Sequence, residues 1–425
     1  MTETQSIPRK PLFYASCLAL LVTGMTFSIR AGLLQPLGIE FELTNTQLGL
    51  VASAAFLGFP LATTLGGPLV DIVGMGRMLY LALIGHIAGI LLTIFAGGFI
   101  SLFVSTLLVG IANGLVEAAC NPLVGTIYAE KKTQMFNRFH VWFPGGIVLG
   151  GLVSYFMTQA GLGWKLQMAS MIIPAIIYGA MFIGKKFPPT ERVASGVSTA
   201  DMFKECLRPL FLFMVFCMFL TATTELATGQ WIESLLANVG VPAIILLVFI
   251  NGIMAVGRLF AGPIVHRLAP AGVLLFSAVF STIGLFWLSN ASGYVAFAAA
   301  GVFAVGVTYF WPTMLGFVSE YLPKTGALGL SLIGGAGMFS VFVILPVIGS
   351  VMDSQIAALI PGGYTLEQLQ GAVEGSEAAK IWDDVALKVG STTLRYMTIL
   401  PVILIFLFTG LKMYISKKHK AGKAI

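Results

Sequence analysis

Gly67-Pro68-Leu69-Val70-Asp71 closes one apolar run, and Gly262-Pro263-Ile264-Val265-His266 closes another, 195 positions later (67 to 262). Reading outward from these two stretches, the same plan recurs. Asn121-Pro122 runs on to Glu130, and Trp311-Pro312 runs on to Glu320, with equal spacing (122 to 130, 312 to 320). Gly145-Gly146 in one half is answered by Gly334-Gly335 in the other. A chain that repeats itself this way predicts two related bundles. Parallel repeats about an axis along the membrane normal are one transporter architecture, with the solute site between the halves.

Composition says which solvent those bundles face. Of the 425 residues, 57% are hydrophobic and 10% charged. A soluble domain carries roughly 25% charged residues, so this chain cannot cover a water-facing surface and faces lipid on most sides. A bilayer crossing needs roughly 20 mostly apolar residues. Such runs fall at 12–36, 46–70, 78–98, 102–128, 139–160, 166–184, 209–237, 242–265, 272–290, 293–319, 328–352 and 391–414. The expected fold is an all-α polytopic membrane protein, with twelve transmembrane helices in two pseudo-symmetric six-helix bundles. The bundles are expected at 1–184 and 209–414, joined by a cytoplasmic linker at 185–208 and followed by a basic tail at 415–425. Leu12–Pro36 is too long for a signal-peptide core, so it is expected to stay as the first span. Asp353–Gly390 is expected to be a polar loop.

Lysine and arginine set the orientation. With both termini inside, the inner segments hold Arg9, Lys10, Arg77, Lys131, Lys132, Arg138, the 185–208 cluster, Arg267, Lys324 and the tail lysines. The outer segments hold Lys165, Lys380 and Lys388. That asymmetry predicts cytoplasmic termini in a plasma (inner) membrane. The net charge of +6 therefore reads as topology, and no nucleic-acid partner is expected. Cys17, Cys120, Cys206 and Cys217 fit neither metal nor disulfide spacing and read as apolar fillers.

Gly67-x-x-x-Asp71-x-x-Gly74-x-x-Arg77 resembles the signature loop of the major facilitator superfamily, with Ile72 where a basic residue is usual. Within it, Glu117-Ala118-Ala119-Cys120-Asn121-Pro122 looks like the Glu-x-x-x-Asn-Pro run of the fucose–glucose–galactose:proton symporter branch. Asn137-Arg138-Phe139-His140 with Gly145-Gly146, the acidic Glu225, and Trp311-Pro312-Thr313 are similar to that branch's fifth, seventh and tenth spans. The resemblance implies sugar uptake driven by a proton gradient, with no cofactor. The first span differs: it carries Arg30 where fucose-type members have an acid, which looks more like the organic-anion members. The resemblance also implies that Asp71 and Arg77 make charge contacts that stabilise the outward-open state. Glu130 and Glu320 are expected in the same inner gating layer, with Arg138 and Arg258 as partners.

An ionisable side chain inside a span costs about 2.5 kcal/mol or more, and it usually faces a cavity or a partner. Glu117, Glu225, Arg30 and His140 are such groups. A carboxyl in a low-dielectric cavity can take up and release a proton as each side opens, which makes Glu117 the expected coupling site, with Glu225 and His140 beside it. The bland alternative is a static Arg30–Glu117 ion pair. Arg30 and Glu225 also share equivalent places at the 195 offset (30 to 225), so they are expected to face each other. Arg30 could clamp a carboxylate or hydroxyls with its planar donor fork. Asn121, His140, Trp142, Glu225, Gln230 and Trp311 supply the amides, charges and flat faces that a sugar needs. His86 shows no partner in sequence and reads as structural.

The expected activity is proton-coupled sugar symport by alternating access, carried out by a monomer in the bilayer. The alternatives are a carrier of organic anions or sugar acids through Arg30, and a non-transporting nutrient receptor. No grouping for hydrolysis, metal binding or phosphate cradling points to an enzyme.

Overall fold

In lipid every backbone N–H and C=O must be satisfied within the segment, so each apolar run becomes a helix. The computed structural model describes residues 7–128, 132–189, 199–236, 240–373 and 375–420. Glu130 and the side chains of Gly67 and Asp71 lie outside the described residues. The first four spans are Arg9–Glu40, Asn45–Val73, Met75–Ile94 and Phe99–Ile127. Span five joins Lys132–His140 to Trp142–Gln159, and span six joins Trp164–Ser170 to Ile172–Phe182. Span seven begins at Pro209–Ala222, and span eight is Ala243–Leu259. Span nine ends the helix Ala261–Leu288, span ten joins Val295–Val307 to Phe310–Tyr321, and span eleven is Gly326–Leu359. Span twelve joins Glu377–Met397 to Ile399–Lys420. Eleven of these are long and apolar enough to cross a membrane, and Ala243–Leu259 is a shorter apolar helix.

The repeat survives in the backbone. Spans two and three are separated by Gly74 alone, at φ +89°. Adding 195 to 74 gives Ala269, which breaks the helix Ala261–Leu288 with φ +54°. Both halves thus turn at the same place with a left-handed residue. Glycine accepts that conformation freely, whereas alanine is strained in it.

The segment read as a loop at 353–390 is largely helical instead. Span eleven continues to Leu359, a short helix covers Leu366–Gln370, and Glu377–Met397 leads into span twelve. Its charge hid an amphipathic pattern: Val385 and Val389 are buried, while Asp383, Asp384 and Lys388 are exposed.

Close approach of backbones welds each half. A Cβ on Gly146 of span five would lie 2.1 Å from the Leu21 carbonyl oxygen of span one. One on Gly110 of span four would lie 2.2 Å from the Ala55 carbonyl oxygen of span two. By contrast, a Cβ on Gly145, Gly252 or Gly316 would meet nothing within 4 Å. The halves meet where span two packs on span eleven, span five on span eight, and span one on span seven.

One end of that interface is sealed. Asp353 accepts hydrogen bonds from Asn45 Nδ2 (3.0 Å), Thr46 N (3.0 Å) and Thr46 Oγ1 (2.5 Å) at the start of span two. A Cβ on Gly349 would lie 2.6 Å from the Asn45 carbonyl oxygen, and one on Gly49 2.8 Å from that of Leu345. No side chain fits at either glycine.

Candidate functional site

Span seven is irregular where the site begins. After Pro209–Ala222 it opens into a π-helical turn at Thr223–Ala227, passes through Thr228–Gln230, breaks at Trp231 and resumes as Ile232–Leu235. A π-turn inserts a residue into the helix and often marks a functional site. Span eleven holds it from behind: Thr223 Oγ1 donates to Ser340 Oγ (3.1 Å) and Trp231 Nε1 to the Leu345 carbonyl (3.2 Å).

The π-turn presents Glu225, 8% exposed, to Arg258 of span eight, 3% exposed. Arg258 Nη2 lies 3.2 Å from Glu225 Oε1. Its Nε donates to the Thr308 carbonyl at 2.9 Å. That carbonyl is free for a simple reason. Its helical donor would be the N–H of residue 312, and Pro312 has none. The proline of span ten thus creates the acceptor that holds the arginine. Glu225 Oε2 has no partner.

Arg30 of span one is buried at 6% exposure, yet no carboxylate pairs with it among the described residues. Its guanidinium carbon stands 5.3 Å from the Phe27 ring centre and 5.9 Å from that of Phe56. Its Nη2 reaches Gln230 Oε1 at 3.5 Å, and its Nε has no partner. Gln230 Nε2 in turn donates to the Phe27 carbonyl at 3.4 Å. Both contacts sit at the long limit for a hydrogen bond.

Neither expected pairing of Arg30 is present. Glu117 is held by Asn121 Nδ2 at 2.5 Å, one turn away on span four. Glu225 faces Arg258 rather than Arg30, so the carboxylate beside Arg258 is Glu225 and not Glu320. Arg77, Arg138 and Glu320 are exposed at helix ends. His140 closes the first segment of span five, 5% exposed, with Arg258 as its charged neighbour from the other half. Its Nε2 and Asn121 Oδ1 have no partner. A buried polar group without a partner calls for water or a ligand.

Between the halves lies a cavity of about 30 Å³, bounded by Phe27, Phe143, Glu225, Gln230, Asn251 and Phe303 among others. That is the room of a water molecule or two. Trp311 is half-buried against Gly334 and Gly337 of span eleven, and Trp142 against the core of the first half. Neither bounds the cavity.

His86, unpartnered in sequence, is fully satisfied. Asn113 Nδ2 donates to Thr26 Oγ1 (3.0 Å), so Asn113 Oδ1 accepts from His86 Nε2 (2.8 Å). Nδ1 then accepts from the Tyr178 hydroxyl (2.9 Å). This chain ties spans one, three, four and six together. Nothing in the spacing of these four residues could have paired them, since they lie on four helices.

Helical spans in two repeated halves, with ionisable groups buried at the seam, define a membrane transporter. The chain belongs to the Major Facilitator Superfamily, whose family profile matches residues 16–346. That family is one of transporters, not enzymes. Among curated relatives, the D-xylose transporter of Levilactobacillus brevis is 26% identical over 178 residues, covering 41% of this chain and 37% of that protein's length. The hexuronate transporter of Bacillus subtilis (strain 168) is 24% identical over 308 residues, covering 66% of this chain and 71% of that one. Among solved structures, a bacterial homologue of the human lysosomal transporter Spinster, inward-facing and unoccupied, superposes with TM-score 0.74 at 17% identity, over 95% of this chain and 97% of that one. The fucose:proton symporter of E. coli superposes with TM-score 0.61 at 15% identity, over 93% and 98%.

Proposed function

We propose that the protein is a proton-coupled symporter of a sugar acid, working by alternating access between bundles at 1–184 and 209–414. The observation that carries this reading is Arg30. Glu225 and Arg258 cancel each other's charge, and among the described residues Glu117 has a neutral amide as its side-chain partner. Arg30 is therefore a buried cation whose charge no carboxylate among the described residues balances. Burying an uncompensated charge is costly, and a planar fork with a free Nε matches a carboxylate bidentately. Glu225 and Asn251 remain for hydroxyl groups. The hexuronate transporter relative is consistent with this.

Glu117 is the proposed proton site. Its partner Asn121 is uncharged, so protonation breaks no ion pair. Both termini are proposed to be cytoplasmic, in a plasma membrane. A neutral sugar is the second reading, favoured by the fucose-like run at 117–122 and the D-xylose transporter relative.

Uptake of D-glucuronate and of D-glucose into proteoliposomes, with and without an inward proton gradient, tests all three readings. Gradient-dependent accumulation of the acid is expected. Accumulation of glucose alone would establish the second reading, and saturable binding without flux would make the protein a receptor. Glu117→Gln is expected to abolish accumulation while counterflow continues. If accumulation survives, Glu117 does not couple the proton.

A further inference from the structure

We propose that Gln230 is a stand-in for the solute's carboxylate on Arg30, and that its displacement links solute binding to release of span seven. The proposal rests on the sugar-acid reading. Its starting point is the contact itself: an amide oxygen, 3.5 Å from Arg30 Nη2, stands where a carboxylate oxygen would. The two oxygens are the same kind of acceptor, but a carboxylate brings two of them and a full charge, so it displaces the amide.

Gln230 is loosely kept. Its donor contact to the Phe27 carbonyl is 3.4 Å long, and Arg30 Nε stays empty beside it. Gln230 also belongs to the other half. It ends the turn Thr228–Gln230, immediately before the break at Trp231. Arg30 and Gln230 thus fasten span one to span seven beside the cavity that Gln230 bounds. A carboxylate on Arg30 removes the acceptor's hold, and span seven loses this polar tie to span one, leaving only the apolar packing of Ile232–Leu235 against it. Gln230 would then set specificity by competition: a neutral sugar cannot outbid the amide for a cation, whereas an acid can.

Binding of D-glucuronate to the purified full-length protein tests this, using Gln230→Glu, Gln230→Leu and Arg30→Gln with thermal unfolding as the check on folding. Gln230→Glu supplies a permanent internal carboxylate and is expected to weaken glucuronate binding by about tenfold or more. Gln230→Leu removes the competitor and is expected to bind glucuronate at least as tightly as the natural protein. If Gln230→Leu loses affinity, Gln230 is a direct solute ligand and the stand-in role is wrong. An unchanged affinity in Gln230→Glu overturns it equally. If Gln230→Glu does not fold, the leucine variant decides alone. Failure of the underlying reading looks different: the natural protein binds no acid, or Arg30→Gln keeps its affinity for one.

Discussion

Arg30 and Arg258 are two buried arginines at one seam, one from each half, and their surroundings are opposite. Arg258 has a carboxylate at 3.2 Å and a proline-freed carbonyl at 2.9 Å. Arg30 has two phenyl faces, a long amide contact and a bare Nε. Depth and residue type are the same, so neither tells what an intramembrane arginine does. The partner does. A paired arginine has its charge met within the fold, and the unpaired one is where the proposed solute carboxylate would bind.

The comparison breaks most directly at Arg30. Arg30→Gln is expected to weaken glucuronate uptake by about 100-fold, the loss of a charged bidentate contact worth about 2–3 kcal/mol, with little change in unfolding temperature. KM for acid transport measures it. Arg258→Leu should do the reverse in kind. It strands Glu225 and should cost about 3–5 kcal/mol of stability, read by thermal unfolding in detergent. Adding Glu225→Leu should recover most of that loss. If the double variant is as unstable as the single, the pair is not what holds spans seven and eight.

Two smaller effects sharpen the contrast between the halves. Asp353→Ala removes three hydrogen bonds that seal one end. It is expected to speed labelling of a cavity cysteine (Ser28→Cys in a background lacking the natural cysteines) from that side by about tenfold, as for about 1.4 kcal/mol. Ala269→Gly should relieve the left-handed strain and stabilise by about 0.5–1 kcal/mol, a small rise in unfolding temperature.

The architecture was legible because lipid imposes it. Apolar runs, a 195-residue offset and the Gly67–Arg77 loop suffice to place the spans and the family. The offset even gives the turn: 74 plus 195 is 269. The site was half legible. Burial of Glu117, Glu225, Arg30 and His140 follows from their position within apolar runs. Their partners do not. The offset makes Arg30 and Glu225 equivalent, yet equivalence in a repeat is not contact. Glu225 is claimed by Arg258 through a π-turn and a missing proline N–H, neither of which apolar periodicity reveals. His86 finds Tyr178 and Asn113 on other helices for the same reason. Asp353 looked like the start of a loop because a single acidic residue on the last turns of a helix carries no mark of the chain it will cap.

The glycines that touch nothing are useful in another way. Gly145 and Gly316 lie on opposite halves, in spans five and ten, and Gly252 lies in span eight, each with open space where a side chain would begin. A cysteine bearing a spin label fits there without disturbing a helix contact, whereas at Gly110 or Gly146 it would pry two spans apart. The Gly145–Gly316 pair is therefore a ready ruler for distance measurements. It can follow the two halves through a transport cycle without disturbing their helix contacts.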